Sequence, residues 1–227
     1  MKLPPIILVT GTDTGVGKTI TTAALTAALQ LRGRTVAVYK PCQSGSVQGD
    51  SDCSEVARLA GPRTAEAGVV LQEPMAPVPA AALDEVRLPP LRIHAGRIRE
   101  LSASHDYVLV EGAGGLLVEL DHDGGTLADL GTHLGDEAGF VVVARPALGT
   151  LNHTALTLEA LDRRSLPVVG VVLGAWAPTP GAVELTNRAT ITSWPVRFLG
   201  AVDAGASGLD PADFRAEASG WLEGLPV

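Results

Sequence analysis

Residues 11–19 read Gly11-Thr12-Asp13-Thr14-Gly15-Val16-Gly17-Lys18-Thr19. Small residues let such a loop close tightly, so that its backbone N–H groups converge on one anion. Lys18 supplies a charge that can reach the β- and γ-phosphates of a nucleoside triphosphate. Thr19 supplies a hydroxyl that can ligate magnesium. The run Thr14, Gly15, Val16, Gly17, Lys18, Thr19 and Ile20 is the expected nucleotide cradle. The usual pattern puts a glycine five residues before Gly17; Thr12 stands there, and the earlier glycine is Gly11, one residue further out. An ordinary glycine-rich turn would explain the glycines, but not the agreement of strand, loop and Gly-Lys-Thr.

Other segments offer complementary chemistry. Val108-Leu109-Val110-Glu111 runs into Gly112-Ala113-Gly114-Gly115. An acid ending a buried strand is where a further magnesium ligand is expected beside a phosphate loop, and the small residues suit close approach to a ligand. The bland alternative is a glutamate in solvent. In Tyr39-Lys40-Pro41-Cys42-Gln43-Ser44-Gly45, Lys40 ends an apolar run. Ligands collect at the C-terminal edge of open parallel sheets, so Lys40 is either an anion binder or a surface charge. Asp50-Ser51-Asp52 marks a helix start, where Asp50 or Ser51 would be an ordinary N-cap. Leu148-Gly149-Thr150-Leu151-Asn152-His153 opens another helix, whose free N–H groups can receive a carboxylate. A plain loop and cap would account for that stretch as well. His94, His105, His122, His133 and His153 show no metal-ligand spacing.

The elements that must position these residues alternate. Apolar runs predict strands over 6–10, 35–40 (ended by Pro41), 107–110, 140–144, 168–173 and 196–202. Helical spacing predicts helices over 18–31, 92–104, 126–136, 151–164, 181–193 and 211–223. Strand-helix-strand succession implies right-handed crossovers and a parallel sheet. The segment 73–90 holds five prolines and reads as a surface loop. The 227 residues suffice for one large α/β domain, with no linker to divide them. Aromatics are 4% of the chain, so the core is built from Val, Leu, Ile and Ala, as suits strands buried on both faces.

The formal net charge of −8 argues against non-specific nucleic-acid binding, which needs a basic face. It leaves a phosphate site open, because that needs a few N–H groups and one or two lysines. Cys42 and Cys53 are too few for a disulfide framework or a four-cysteine zinc site. The apolar run near the N-terminus is too short to span a membrane or to serve as a signal peptide. The simple reading is a cytoplasmic protein with no membrane partner.

Taken together, the 11–19 loop, Tyr39-Lys40-Pro41 with Ser44-Gly45, Ser51-Asp52, Val110 to Gly115, and Leu148-Gly149 with Asn152-His153 resemble the dethiobiotin synthetase family, in the family's order and over about two thirds of the chain. The displaced glycine is itself a family trait. The resemblance implies a single three-layer P-loop NTPase-type domain over 1–227, with a mostly parallel central sheet of about seven strands flanked by helices. It implies that 7,8-diaminopelargonic acid takes up CO₂ as a carbamate, which a nucleoside triphosphate activates before ring closure to the cyclic urea. By position, Thr19, Asp52 and Glu111 would hold Mg²⁺. Lys18 would stabilise the moving phosphoryl group, and Lys40 would bind the carbamate. Thr14 and Ser44 would line the diamine site. Gly149, Thr150, Leu151 and Asn152 would receive the substrate carboxylate from the partner subunit of a homodimer. Members that read adenine carry an asparagine at the end of the sixth strand, where this chain has Gly174-Ala175-Trp176. Glycine has no amide to pair with a base, which leaves backbone groups near Asp203, Ala204, Gly205 and Ala206.

Two other readings share the fold. A partition or division-site-positioning ATPase switch carries an extra lysine five residues before the Gly-Lys-Thr lysine, where this chain has Asp13. It also needs a basic patch or a membrane helix, and the sequence offers neither. An amidotransferase of the cobyrinic acid type needs a glutamine-hydrolysing domain, for which the chain is too short.

Overall fold

The structure is a computed structural model that describes residues 3–46 and 51–226. Seven strands, β1 (Ile6–Gly11), β2 (Val36–Gln43), β3 (Thr64–Val70), β4 (Tyr107–Gly115), β5 (Ala138–Ala144), β6 (Val168–Trp176) and β7 (Phe198–Asp203), form one sheet in the order β3-β2-β4-β1-β5-β6-β7. Every pairing is parallel. Parallel neighbours require crossovers, and helices supply them: α1 (Lys18–Leu31), α2 (Asp52–Ala60), α3 (Pro77–Leu83), α4 (Leu91–Ser102), α5 (Leu127–Leu134), α6 (Thr150–Asp162), α7 (Ala182–Thr192) and α8 (Pro211–Trp221).

Two cores flank the sheet, and strand alternation sorts side chains between them. Ile6 and Leu8 of β1 pack with α3 to α7, whereas Ile7 and Val9 pack with α1, α2 and α8. Both faces are thus covered, and all six residues of β1 are buried. This is the physical reason that its sequence is a continuous apolar run rather than an alternating one. β1 lies between β4 and β5, so the loop that leaves its C-terminal end opens at the centre of the sheet, beside the ends of β4 and β2. Among the described residues, no helix is long and apolar enough to cross a membrane.

The structure departs from the sequence expectations at the elements around this edge. The segment 73–90 is not all loop, because α3 spans Pro77–Leu83. Pro77 and Pro79 fall in its first turn, where N–H groups lack intrahelical partners anyway, so the prolines cost it nothing. Pro41 does not end β2. Pairing with β4 stops at Tyr39, and beyond it β2 pairs with β3 alone, so a missing N–H is tolerated as on an edge strand. The edge strand β3 is half-exposed and reads Thr-Ala-Glu-Ala-Gly-Val-Val, too weakly patterned to stand out. β4 continues past Glu111 to Gly115, so the glycines extend the strand instead of closing it.

Candidate active site

Gly15 and Gly17 take positive φ, 71° and 96°, a region open to glycine at little cost. Gly17 also caps α1 without any side-chain hydrogen bond, so the first N–H groups of that helix face outward unclaimed by a cap. The displaced Gly11 has a steric reason: a Cβ there would lie 2.7 Å from the Asp13 carbonyl oxygen and 2.9 Å from Lys18 Nζ. Val16, expected in the nucleotide cradle, does not line the cleft. Its side chain is buried in the core, while Ile20 and Thr14 line the cleft.

Lys18 is buried, and its Nζ donates to the Asp13 carbonyl oxygen at 3.1 Å. Burial pulls its pKa below the ordinary lysine value. Glu111 opposes that shift, and Lys40 reinforces it. Lys40 is 5% exposed and forms ion pairs with Asp52 Oδ2 at 2.7 Å and Glu111 Oε1 at 2.8 Å. Burial alone would weaken its charge, but Glu111 and Asp52 outweigh burial and hold the ammonium above its usual range. Burial likewise pushes Asp52 up, and Lys40 with Thr19 overrides this to hold the carboxylate below its ordinary value. Thr19 Oγ1 lies 2.8 Å from Asp52 Oδ1 and 3.0 Å from Glu111 Oε1, so its single proton has two acceptors.

Thr19, Asp52 and Glu111 therefore converge, although they come from α1, α2 and β4. Among the described residues, no group of three His, Cys, Asp or Glu side chains could hold a metal. Two carboxylates and a hydroxyl do fit magnesium, a hard cation that keeps several waters and takes phosphate oxygens. The surrounding cleft has a volume of about 590 Å³. The phosphate loop, Lys40, Ser44 and Asp52 line it, together with Ala113 and Gly114 of β4 and Val118 just beyond that strand.

Several contributors were missed from sequence. Pro74 to Pro77 wall the cleft, because Gly45 N–H donates to the Glu73 carbonyl and ties that segment beside Ser44. Gln43 accepts from the Asp52 N–H at 3.0 Å. Asp13 pairs with Arg145 at the start of the β5–α6 connection, and its Oδ1 accepts from Thr14 N–H at 2.7 Å. Asp50 lies outside the described residues; Ser51 is the N-cap of α2.

Gly149, Thr150, Leu151 and Asn152 do not line the cleft of their own chain. Gly149 has φ 92° and caps α6 without a side-chain bond, Thr150 is fully buried, and Asn152 and the neighbouring Leu148 are exposed. Asn187 of α7 donates to the Pro146 and Ala147 carbonyl oxygens at 2.9 and 3.2 Å, which holds this turn in place. Asp203, Ala204, Gly205 and Ala206 also lie outside the cleft, at the end of β7. Asp203 accepts from Trp221 Nε1 at 3.1 Å, and Ala206 is buried. Ala204 N–H donates to the Trp176 carbonyl, so this corner adjoins the end of β6.

A phosphate loop leaving the central strand of a seven-stranded parallel sheet, with acids at the neighbouring strand edge, defines a P-loop NTPase fold. A family model described as an AAA domain matches residues 6–206. The septum site-determining protein MinD of Pyrococcus horikoshii, solved with Mg-ADP, is similar with a TM-score of 0.57 at 17% identity, covering 98% of this chain and 93% of that one. Cobyrinic acid a,c-diamide synthase of Mycobacterium smegmatis gives a TM-score of 0.56 at 16% identity, covering 96% and 93%. Both likenesses speak to the fold. Sequence similarity is far stronger to the ATP-dependent dethiobiotin synthetase BioD of Mycobacterium avium, 49% identical over 96% of this chain and 95% of that protein. The BioD of Streptomyces avermitilis is 46% identical, over 96% and 91%. The chain belongs to the dethiobiotin synthetase family.

Proposed function

We propose that this protein is an ATP-dependent dethiobiotin synthetase, a ligase that forms C–N bonds. The observation that supports this most is the meeting of two buried lysines, Lys18 and Lys40, in one cleft with Thr14 and Ser44 on its wall. A switch ATPase draws its extra lysine from the phosphate loop itself, where this chain has Asp13; Lys40 comes instead from β2 and is held charged by Asp52 and Glu111, which suits a second anionic reactant beside the nucleotide.

In this reading the carbamate formed from 7,8-diaminopelargonic acid and CO₂ lies against Lys40, with Thr14 and Ser44 beside the diamine. A carbamate oxygen attacks the γ-phosphorus, the bond to the nucleoside diphosphate breaks, and Lys18 neutralises the charge that moves with the phosphoryl group. The second amine then attacks the carbamoyl carbon, phosphate leaves with the electron pair of the broken C–O bond, and the urea ring closes. No protein nucleophile is required, because positioning and charge neutralisation supply the catalysis. Thr19, Asp52 and Glu111 would hold Mg²⁺, which neutralises phosphate charge when bound.

The same reading makes the protein a cytoplasmic homodimer acting on small molecules, with neither nucleic acid nor membrane as partner. Gly149, Thr150, Leu151 and Asn152 receive the substrate carboxylate across the interface, consistent with their position outside the cleft of their own chain. Asp203, Ala204, Gly205 and Ala206 lie toward the base. The test is phosphate release from protein, Mg²⁺, bicarbonate and ATP with and without the diamine. Release that depends on the diamine is expected; release indifferent to it overturns the proposal.

A further inference from the structure

We infer that Gln43 is a positioning residue that sets the backbone of Asp52, and through it the magnesium-binding oxygens of the site. The inference rests on the reading of Asp52 as a metal ligand.

Asp52 is the first residue of α2, and its N–H has no intrahelical partner. The Ser51 side chain caps the helix only through Ser54 N–H, at 3.5 Å, the limit of a hydrogen bond. Gln43 Oε1 meets the Asp52 N–H itself at 3.0 Å. Gln43 is 5% exposed, and its other end is fixed by Nε2 donating to the Ser44 carbonyl at 2.9 Å. The last residue of β2 therefore reaches across the whole connection to α2 and fastens its far end. The Asp52 carboxyl carbon is two bonds from its Cα, so any drift of that backbone passes directly to the oxygens. Those oxygens now meet Lys40 Nζ at 2.7 Å and Thr19 Oγ1 at 2.8 Å. A side chain that orients a ligand in this way typically changes metal affinity by about tenfold or more when removed.

Gln43→Met keeps length and apolar bulk but removes the acceptor. Gln43→Glu keeps an acceptor for the Asp52 N–H but replaces the Nε2 donor to the Ser44 carbonyl with an oxygen. Calorimetric titration of the full-length protein with the non-hydrolysable analogue AMPPNP, in Mn²⁺ and in EDTA, isolates the metal-dependent gain in affinity. Gln43→Met is expected to lose about tenfold of that gain while its affinity in EDTA stays within about twofold of wild type. Gln43→Glu, which keeps only the acceptor, is expected to retain more of the gain than Gln43→Met. Asp52→Asn is the control and is expected to lose it. A normal gain in Gln43→Met beside a lost gain in Asp52→Asn overturns the inference and leaves the metal reading standing. A normal gain in Asp52→Asn overturns both. Equal weakening in Mn²⁺ and EDTA, or a gain in Gln43→Glu no greater than in Gln43→Met, also overturns the inference. Should Gln43→Met fail to fold, Gln43→Ala carries the same expectation and the same overturning results.

Discussion

Lys18 and Lys40 are both buried, yet opposite forces act on them. Lys18 has a neutral carbonyl as its near partner and is pulled below its ordinary pKa by burial, which suits a group waiting for phosphate. Lys18→Ala should therefore leave the fold intact and lower kcat by at least about a hundredfold, the usual result of losing one strong transition-state contact. Near-normal turnover would refute the assignment. Lys40 is instead part of the folded state. Its raised pKa means that its contribution to stability is present below the ordinary lysine value of about 10.4 and is lost as pH rises through the folded value. Asp52, held low, contributes above about 3.9 and loses that contribution as pH falls through its folded value. Both act together between about pH 4 and pH 10. Lys40→Met breaks a buried pair with Glu111 and should cost about 3 kcal/mol near pH 7. The deficit should shrink near about pH 3.5, where a proton on Asp52 removes part of the unneutralised charge. Urea unfolding at the two pH values checks this, and equal deficits would count against it.

The end of β6 and the phosphate loop are built against each other. A Cβ on Gly174 would lie 2.0 Å from the Val16 carbonyl oxygen, so glycine here is a steric need of the loop. Gly174→Asn would supply a side-chain amide able to pair with a base, yet it should push the loop out of place. The expectation is about 2 kcal/mol of destabilisation and weaker binding of every nucleotide alike. A gain of ATP selectivity at full affinity would show that β6 can yield. With Gly174 in place, the wild-type pocket lacks a side-chain contact worth about 1–3 kcal/mol of base selectivity. CTP, GTP and UTP should therefore support turnover within about tenfold of ATP in initial-rate comparisons. A preference for ATP far beyond that would point to backbone near Ala204 to Ala206 as the reader.

The cleft is walled by the loop, the edges of β2 and β4, and Pro74 to Pro77, while the start of α6 lies outside it. A site completed by a second subunit predicts complementation. Lys18→Ala lacks the phosphate contact, and Gly149→Asp places a negative charge at the start of α6. Each variant should be nearly inactive alone. If they are unfolded and refolded together, half of randomly formed dimers are mixed, and each mixed dimer has one intact site. Activity should return to about a quarter of wild type for a two-fold dimer. No recovery would mean that each subunit carries a complete site. Asp13 fits the enzyme reading at this level too, since it pairs with Arg145 of its own chain where a switch protein carries its extra lysine.

The sequence by itself determined what local physics can encode. The phosphate loop is contiguous, its glycines are required by positive φ at Gly15 and Gly17, and its place between a buried strand and a helix follows from an apolar run and a Gly-Lys-Thr start. The order of strands and helices was largely legible for the same reason, and strand-end position together with the family resemblance named Lys40, Asp52 and Glu111 as candidates. What the sequence left hidden depends on partners far away along the chain. Pro41 stays in a strand because β4 has already departed, and α3 forms because its prolines fall where N–H groups are free. Gly174 is glycine because of Val16, 158 residues earlier. Gln43 matters only because the fold returns Asp52 to it. Such meetings follow from strand order and register, which no local pattern carries, so tertiary structure decided which further side chains, Gln43 and Pro74 to Pro77 among them, join the site.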